Sequence, residues 1–409
     1  MAQPGSVPAW GAGGRWFKSS RPDLLTLSVF VNLSDFLSVT AFVLGLSGMI
    51  LAIVGFHELG HFLVAKYFKI RVERVSIGFG RVLWQRIDAQ GTEYVLSAVP
   101  LGGYVTLMDS RTRSLAPHER NLALDSKPYY QRCLVLLAGP CANFLFAWLA
   151  YWLVFSTGFI TVQPIIGSVL PNSIAAQSGL KTGDRIMRIN KDESATWMRI
   201  NFRLLMLYGH ASFVNLNFVR PPSQEIKTIR LSLDQWKLDP LQPNPLLSLG
   251  IIPHQFHGRL LKKDFSEIKL IRYSFFSAAY HALEQLLFFI QFHGRLLYQL
   301  LSGALSWHGL SGPIGILSTL SSSIHQGWIT FISFLALLSI SVGVINLLPI
   351  PGLDGSQIFY VLYEWIFKRP VSIRMQILVF RIAAAVLGVF FIQVISNDVL
   401  RLIHDTQLR

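Results

Sequence analysis

Charge is what this chain has least of. Asp, Glu, Lys and Arg fill only 14% of its 409 positions while 52% are hydrophobic, whereas a soluble domain carries about 25% charged residues. An ordinary soluble globular protein is therefore excluded. Whole stretches contain no charged side chain: the interval between Asp35 and Glu58, then Cys133 to Ile160, Gln326 to Leu353, and Ile382 to Asn397. Val39 to Phe56 and the three later runs each approach the length that crosses a hydrocarbon core, although the last is short and is expected to start beside Arg381. The reading is a polytopic α-helical membrane protein with four transmembrane helices. A fifth candidate, Leu286 to Leu301, is interrupted by His293 and Arg295. With Phe275, Phe276, Leu283, Leu286 and Leu287 grouped on part of its surface, the region reads as an amphipathic helix at the bilayer interface.

Cysteine is equally scarce. Cys133 and Cys141 both lie in the second run, and eight helical residues separate them by roughly 12 Å, beyond disulfide reach. They are expected to be packing residues. No small-residue cleavage site precedes the first run, so residues 1–38 are read as an uncleaved extension. The acidic residues number 22 against 36 basic ones. The excess gathers between Lys66 and Arg132, and Lys368, Arg369, Arg374 and Arg381 precede the last run, which places both connections on the cytoplasmic side. Residues 161–307 then lie outside, as do both termini, a placement that Arg15, Lys18 and Arg21 mildly oppose. The net charge of +14 reads as membrane anchoring, since no basic motif interleaved with aromatics suggests nucleic acid. A metal transporter would need polar or ionisable residues strung along several spans, and the second and fourth runs are read as offering none.

What is present is His57-Glu58-Leu59-Gly60-His61, at the end of the first apolar run. Helical residues four apart lie nearly above one another, so both imidazoles reach one metal while Glu58 stands beside the water that such a metal would activate. Ionisable groups at membrane depth are costly and normally pair, ligate or line a path. Zinc-protease chemistry inside the bilayer is the expectation.

Two histidines leave a catalytic zinc short of its usual third protein ligand. The candidate is Asp354, in Asn346-Leu347-Leu348-Pro349-Ile350-Pro351-Gly352-Leu353-Asp354-Gly355. Pro349, Pro351 and Gly352 break the third span there, and broken backbone at membrane depth is tolerated only beside protein or a watery cavity. The alternative is a surface turn with Asp354 at the start of the next helix. Topology favours the metal, because the first and third spans both reach the cytoplasmic side at these residues.

At this point the chain resembles the site-2 protease family of intramembrane zinc metalloproteases, and more closely its bacterial RseP-like branch. The resemblance runs from about Val39 to the C-terminus and rests also on Ser76-Ile77-Gly78-Phe79-Gly80, Pro100-Leu101-Gly102-Gly103-Tyr104-Val105, Leu137-Ala138-Gly139-Pro140-Cys141-Ala142-Asn143-Phe144 and Ser311-Gly312-Pro313-Ile314-Gly315. It implies a Zn2+ held by His57, His61 and Asp354, with Glu58 as general base. It implies that Asn346 holds the substrate backbone. Gly102, Gly103 and Tyr104 would belong to a membrane-associated β-hairpin that receives the unwound substrate as an added strand. The implied activity is cleavage of the transmembrane segment of single-span membrane proteins, a pre-trimmed anti-sigma factor or remnant signal peptides, in the bacterial inner membrane. The other reading is a catalytically inactive membrane adaptor or chaperone, which would have no need for Glu58.

The domains expected are an extension (1–38), the first half of the membrane core (39–160), an extracytoplasmic module (162–254), an amphipathic interfacial region (262–308) and the second half of the membrane core (309–409). In the module, strands are expected at 165–170, 184–190, 214–219 and 226–231, with helices at 175–179 and 198–208. The pattern, with Gly179-Leu180-Lys181-Thr182-Gly183-Asp184 as its turn, is similar to a circularly permuted PDZ domain. The RseP branch carries two such domains and this insert has room for one. It acts either as a peptide-binding groove or as a steric lid.

Overall fold

The computed structural model describes residues 33–111, 114–193, 196–240, 243–254 and 268–407. The expected N-terminal extension lies almost wholly outside the described residues, as does the start of the expected interfacial region. Two units are distinguished, Met1–Ala41 and Phe42–Arg409; of the first, only the opening turns of a helix are described.

That helix, α1 (Leu33–Tyr67), is long enough to cross a bilayer, with its apolar span at Ser38–Tyr67. It ends where Lys69 takes a left-handed backbone (φ 54°). Two long bent strands follow, β1 (Val72–Ile87) and β2 (Glu93–Leu107). Arg74–Ile77 faces Gly103–Thr106 on one side and Glu93–Leu96 on the other, while Val82–Ile87 pairs with Glu93–Ser97. The ribbon thus curls back on itself, and Gly103–Thr106 forms one outer edge.

α2 (Tyr129–Thr157) is the hub of the membrane core, meeting the helices that position the site. Its crossing with α1 depends on Gly60, where a Cβ would stand 2.2 Å from Ala138 O. No L side chain fits there without the helices parting. Arg132, buried near the start of α2, donates Nη2 to Glu364 Oε2 at 2.9 Å. A buried guanidinium needs such a partner, so this pair fixes which carboxylate-bearing helix lies alongside.

The module that follows opens with β3 (Phe159–Val162), β4 (Ile166–Val169), α3 (Ile174–Gln177), β5 (Arg185–Ile189), β6 (Asp192–Glu193) and α4 (Trp197–Leu207). β7 (Phe213–Val219), β8 (Ile226–Ser232), α5 (Pro245–Leu249) and β9 (Ile251–Pro253) complete it. An antiparallel sheet of order β6-β5-β7-β8 and the pair β4-β9 enclose a core that includes Ile186, Leu204, Leu216 and Leu231. Asp184, fully buried in its turn, accepts from the Lys181 N–H and from both Nε and Nη2 of Arg220, at 2.6 and 2.8 Å. β10 (Ile268–Ile271) returns beside β3.

α6 (Phe275–Leu301) is the helix expected at the interface. One face, with Ala282, Leu286, Phe289 and Phe292, packs into a cluster with Ala147 and Tyr151 of α2. Leu286 thus points inward, away from the exposed Phe275, Phe276, Leu283 and Leu287 with which its apolar character groups it in the sequence. The last turns of α6 join the module: Leu300 enters the module core, and Gln299 Nε2 donates to Leu205 O and Tyr208 O, both at 2.9 Å. Those carbonyls end α4, where backbone acceptors outnumber intrahelical donors.

α7 (Pro313–His325) precedes α8 (Trp328–Asn346), the third apolar span. α8 stops at Asn346, seven residues before the end of the charge-free run, because Pro349 and Pro351 cannot continue it. Gly352 then turns the chain at φ 98° into α9 (Asp354–Phe367). α10 (Ile373–Gln407) carries the fourth span, Ile373–Arg401. It begins well before the expected Ile382, since Arg374 and Arg381 lie on its exposed surface, where long side chains can reach past the apolar zone. Four helices long and apolar enough to span a membrane are therefore present among the described residues.

Candidate metal centre

α1 and α9 bring together the residues that the sequence singled out. His57 and His61 sit on one face of α1, one turn apart, and both are buried. Asp354 opens α9, placed by the broken segment behind α8. Gly355 allows that placement, because a Cβ there would stand 2.3 Å from Leu348 O. Asp354 Oδ2 lies 3.0 Å from His57 Nε2 and 3.3 Å from His61 Nε2, and the two Nε2 atoms are 3.2 Å apart.

The chemistry of these three atoms calls for a cation. His61 Nδ1 is 2.8 Å from the carbonyl of Val135, an acceptor only, so in the neutral imidazole that binds metal Nδ1 carries the hydrogen and Nε2 the lone pair. His61 Nε2 cannot then donate to the carboxylate, however close it lies. Asp354 Oδ2 is correspondingly a buried oxygen without a hydrogen-bond donor. Tetrahedral zinc with bonds of about 2.0–2.1 Å separates its ligand atoms by roughly 3.3 Å, and the observed separations match. The surrounding backbone keeps the space open: a Cβ at Gly139 of α2 would stand 2.3 Å from His61 Nε2 and 2.8 Å from His57 Cε1. His57, His61 and Asp354 form the one cluster of this kind among the described residues. Cys133 and Cys141 stay free, the latter exposed.

Glu58 is next to the cluster and points toward the β-ribbon. A Cβ at Gly103 would lie 3.8 Å from its Cγ. A cavity of about 220 Å³ opens here, walled by Ile50, Val54 and Leu59 of α1 and by Ser76, Gly102 and Gly103 of the ribbon, with Glu58 among its lining. Gly102 adopts φ 132°, which favours glycine, and Tyr104 stacks on Phe79 with ring centres 6.0 Å apart. The Glu58 carboxylate thus shares an apolar cleft with a strand edge. Asn346 ends α8, half-buried, separated in sequence from Asp354 only by the broken segment.

One polar residue beside the metal cluster has no counterpart among the sequence expectations. Asn143 of α2 is fully buried, with Nδ2 3.3 Å from His57 Nδ1. The second apolar run therefore does offer a polar group, contrary to expectation, and so does the fourth, in Gln393 and the buried Asn397. The signal of Asn143 is a lone carboxamide in a span that otherwise has no reason to hold one.

The sequence profile of peptidase family M50 matches residues 45–390. The regulator of sigma E protease of Haemophilus influenzae is 32% identical over 88% of this chain and 100% of that protein. Protease RseP of Yersinia pestis is 31% identical over 89% of this chain and 99% of its own length. A Vibrio cholerae protein named as a zinc metalloprotease is 29% identical, covering 88% of this chain and 98% of that one.

Proposed function

The chain belongs to peptidase family M50, and from that premise we propose that this zinc metalloprotease cuts peptide bonds inside the transmembrane segments of single-span membrane proteins. The observation that carries the proposal is the meeting of His57 and His61, on a helix long and apolar enough to cross a bilayer, with Asp354 of α9 beside a Glu58-lined apolar cleft. His57, His61 and Asp354 hold the Zn2+. When bound, the metal supplies Lewis acidity, making water acidic and polarising the scissile carbonyl.

Glu58 is the general base: its carboxylate takes a proton from the attacking water and returns it to the leaving amine. A helical substrate hides its carbonyls in internal hydrogen bonds and must unwind before attack. The outer edge at Gly103–Thr106 replaces those bonds by accepting the unwound segment as an added strand. Gly102 and Gly103 permit the close backbone approach, Tyr104 flanks it, and Asn346 holds the substrate backbone.

The module of residues 162–254 is a PDZ-like domain outside the bilayer. The site lies near the cytoplasmic face of a bacterial inner membrane, in agreement with the basic connections at its end of the bundle. Two of the relatives named above carry sigma E regulation or RseP in their names, which supports a pre-trimmed anti-sigma factor as substrate, with remnant signal peptides a second class. The test is cleavage of a single-span reporter by purified protein. Glu58→Gln is expected to lower turnover by about 10²–10⁴-fold at unchanged zinc content; equal cutting by both proteins would remove Glu58 from its role.

A further inference from the structure

A histidine that binds zinc through Nε2 must carry its hydrogen on Nδ1, and that hydrogen needs an acceptor. For His61 the acceptor is Val135 O. For His57 the polar side chain that meets Nδ1 among the described residues is the Asn143 carboxamide, two helical turns further along α2. As it stands, Asn143 Nδ2 faces His57 Nδ1 at 3.3 Å, and Asn143 Oδ1 is buried with no donor. An NH2 group facing Nδ1 demands a lone pair there, which puts the hydrogen on Nε2 and blocks the ligand position. A half-turn of the carboxamide removes both conflicts at once. Oδ1 then accepts the Nδ1 hydrogen, and Nε2 is left with its lone pair toward Asp354.

We propose that Asn143 is a positioning residue of the metal centre, whose carboxamide oxygen selects the His57 tautomer that binds metal. The inference rests on the reading of His57 as a ligand. The surroundings of Asn143 suit that role, because the residue is fully buried, so no water competes for Nδ1, and its own backbone oxygen is held by Ser339 Oγ of α8 at 3.0 Å. α2 thereby orients both imidazoles, through a carbonyl for one and a side chain for the other.

The experiment is zinc affinity of the purified full chain, measured by chelator competition, for Asn143→Leu and Asn143→Asp. Leu keeps the volume and loses the acceptor, and it is expected to weaken zinc binding about 10–100-fold. Asp offers only acceptors and is expected to stay within a few-fold of the parent. A merely structural Asn143 would give the opposite order, because Leu packs well and a buried, unpaired carboxylate does not. Zinc held by the Leu variant as tightly as by the parent, or more tightly than by the Asp variant, would overturn the proposal. If the Leu variant does not fold, Asn143→Ala replaces it, with Asp again expected to bind more tightly. His57→Ala separates the two levels: zinc kept in that protein overturns the ligand reading itself, whereas zinc lost there and kept in the Leu variant overturns Asn143 alone.

Discussion

A methyl group at position 139 would occupy the space in which the two imidazoles meet, so the smallest substitution there tests whether that space is used. Gly139→Ala is expected to cost zinc affinity while leaving helix content intact, as measured by chelator competition and circular dichroism, since alanine is the better helix former. Unchanged affinity would mean that the histidines do not converge there when loaded. Asp354→Asn is expected to weaken zinc by more than the roughly 10–100-fold typical of an outer-shell partner; full occupancy with normal turnover would remove Asp354 from the site. His57, Glu58, His61 and Asp354 are legible in the sequence because a charge in an apolar run has to be explained. Gly139 and Asn143 are legible only as members of the 137–144 motif and not by role: one has no side chain, the other no charge, and both matter through contacts between helices.

Among the elements, the β-ribbon and α10 have the clearest consequences. Gly102 holds a backbone that L residues avoid, and a Cβ there would press on Phe79 at 2.9 Å. Gly102→Val is expected to raise KM for the reporter substrate with zinc content unchanged, because it distorts the strand next to the receiving edge. α10 is covered by little protein along its apolar length and is anchored at one end. There Asp398 accepts the N–H groups of Gly312, Ile314 and Gly315 at 2.9 to 3.1 Å, and Asn397 Nδ2 donates to Trp307 O at 3.2 Å. Asp398→Ala strands those donors and is expected to cost about 3 kcal/mol of stability, read as a lowered Tm; an unchanged Tm would show that α10 is held elsewhere. The helix itself is readable from hydrophobicity, but its start is not, because Arg374 and Arg381 end a charge-free run without ending a helix. In the module, strands and helices fall within a residue or two of expectation, since β-branched alternation and glycine-marked turns are local signals. The packing of α6 is hidden for the opposite reason: a helix apolar on two sides does not announce which side meets protein and which meets lipid.

For the whole molecule, the decisive feature is separation. From Gly139 at the metal cluster to Thr157 at the module end, α2 rises about 27 Å at 1.5 Å per residue. The chain enters the module only there, while α4 of the module packs back through Met206 into the cluster that holds Ala147 and Tyr151 of α2. α6 ties the two together, packed on α2 along its length and bonded to the end of α4 through Gln299. A fixed lid predicts that a reporter with a folded domain on its outer side is cut far more slowly than the same reporter trimmed to a short tail. Equal rates would argue for a peptide-binding role instead. The measurement that bears most directly on the account is X-ray absorption at the zinc edge of the purified protein, compared with Asp354→Ala. The account predicts two imidazole nitrogens and a carboxylate oxygen around one zinc, with no sulfur, and a changed spectrum or lost metal in the variant. A sulfur ligand, or the same spectrum in both proteins, would contradict it.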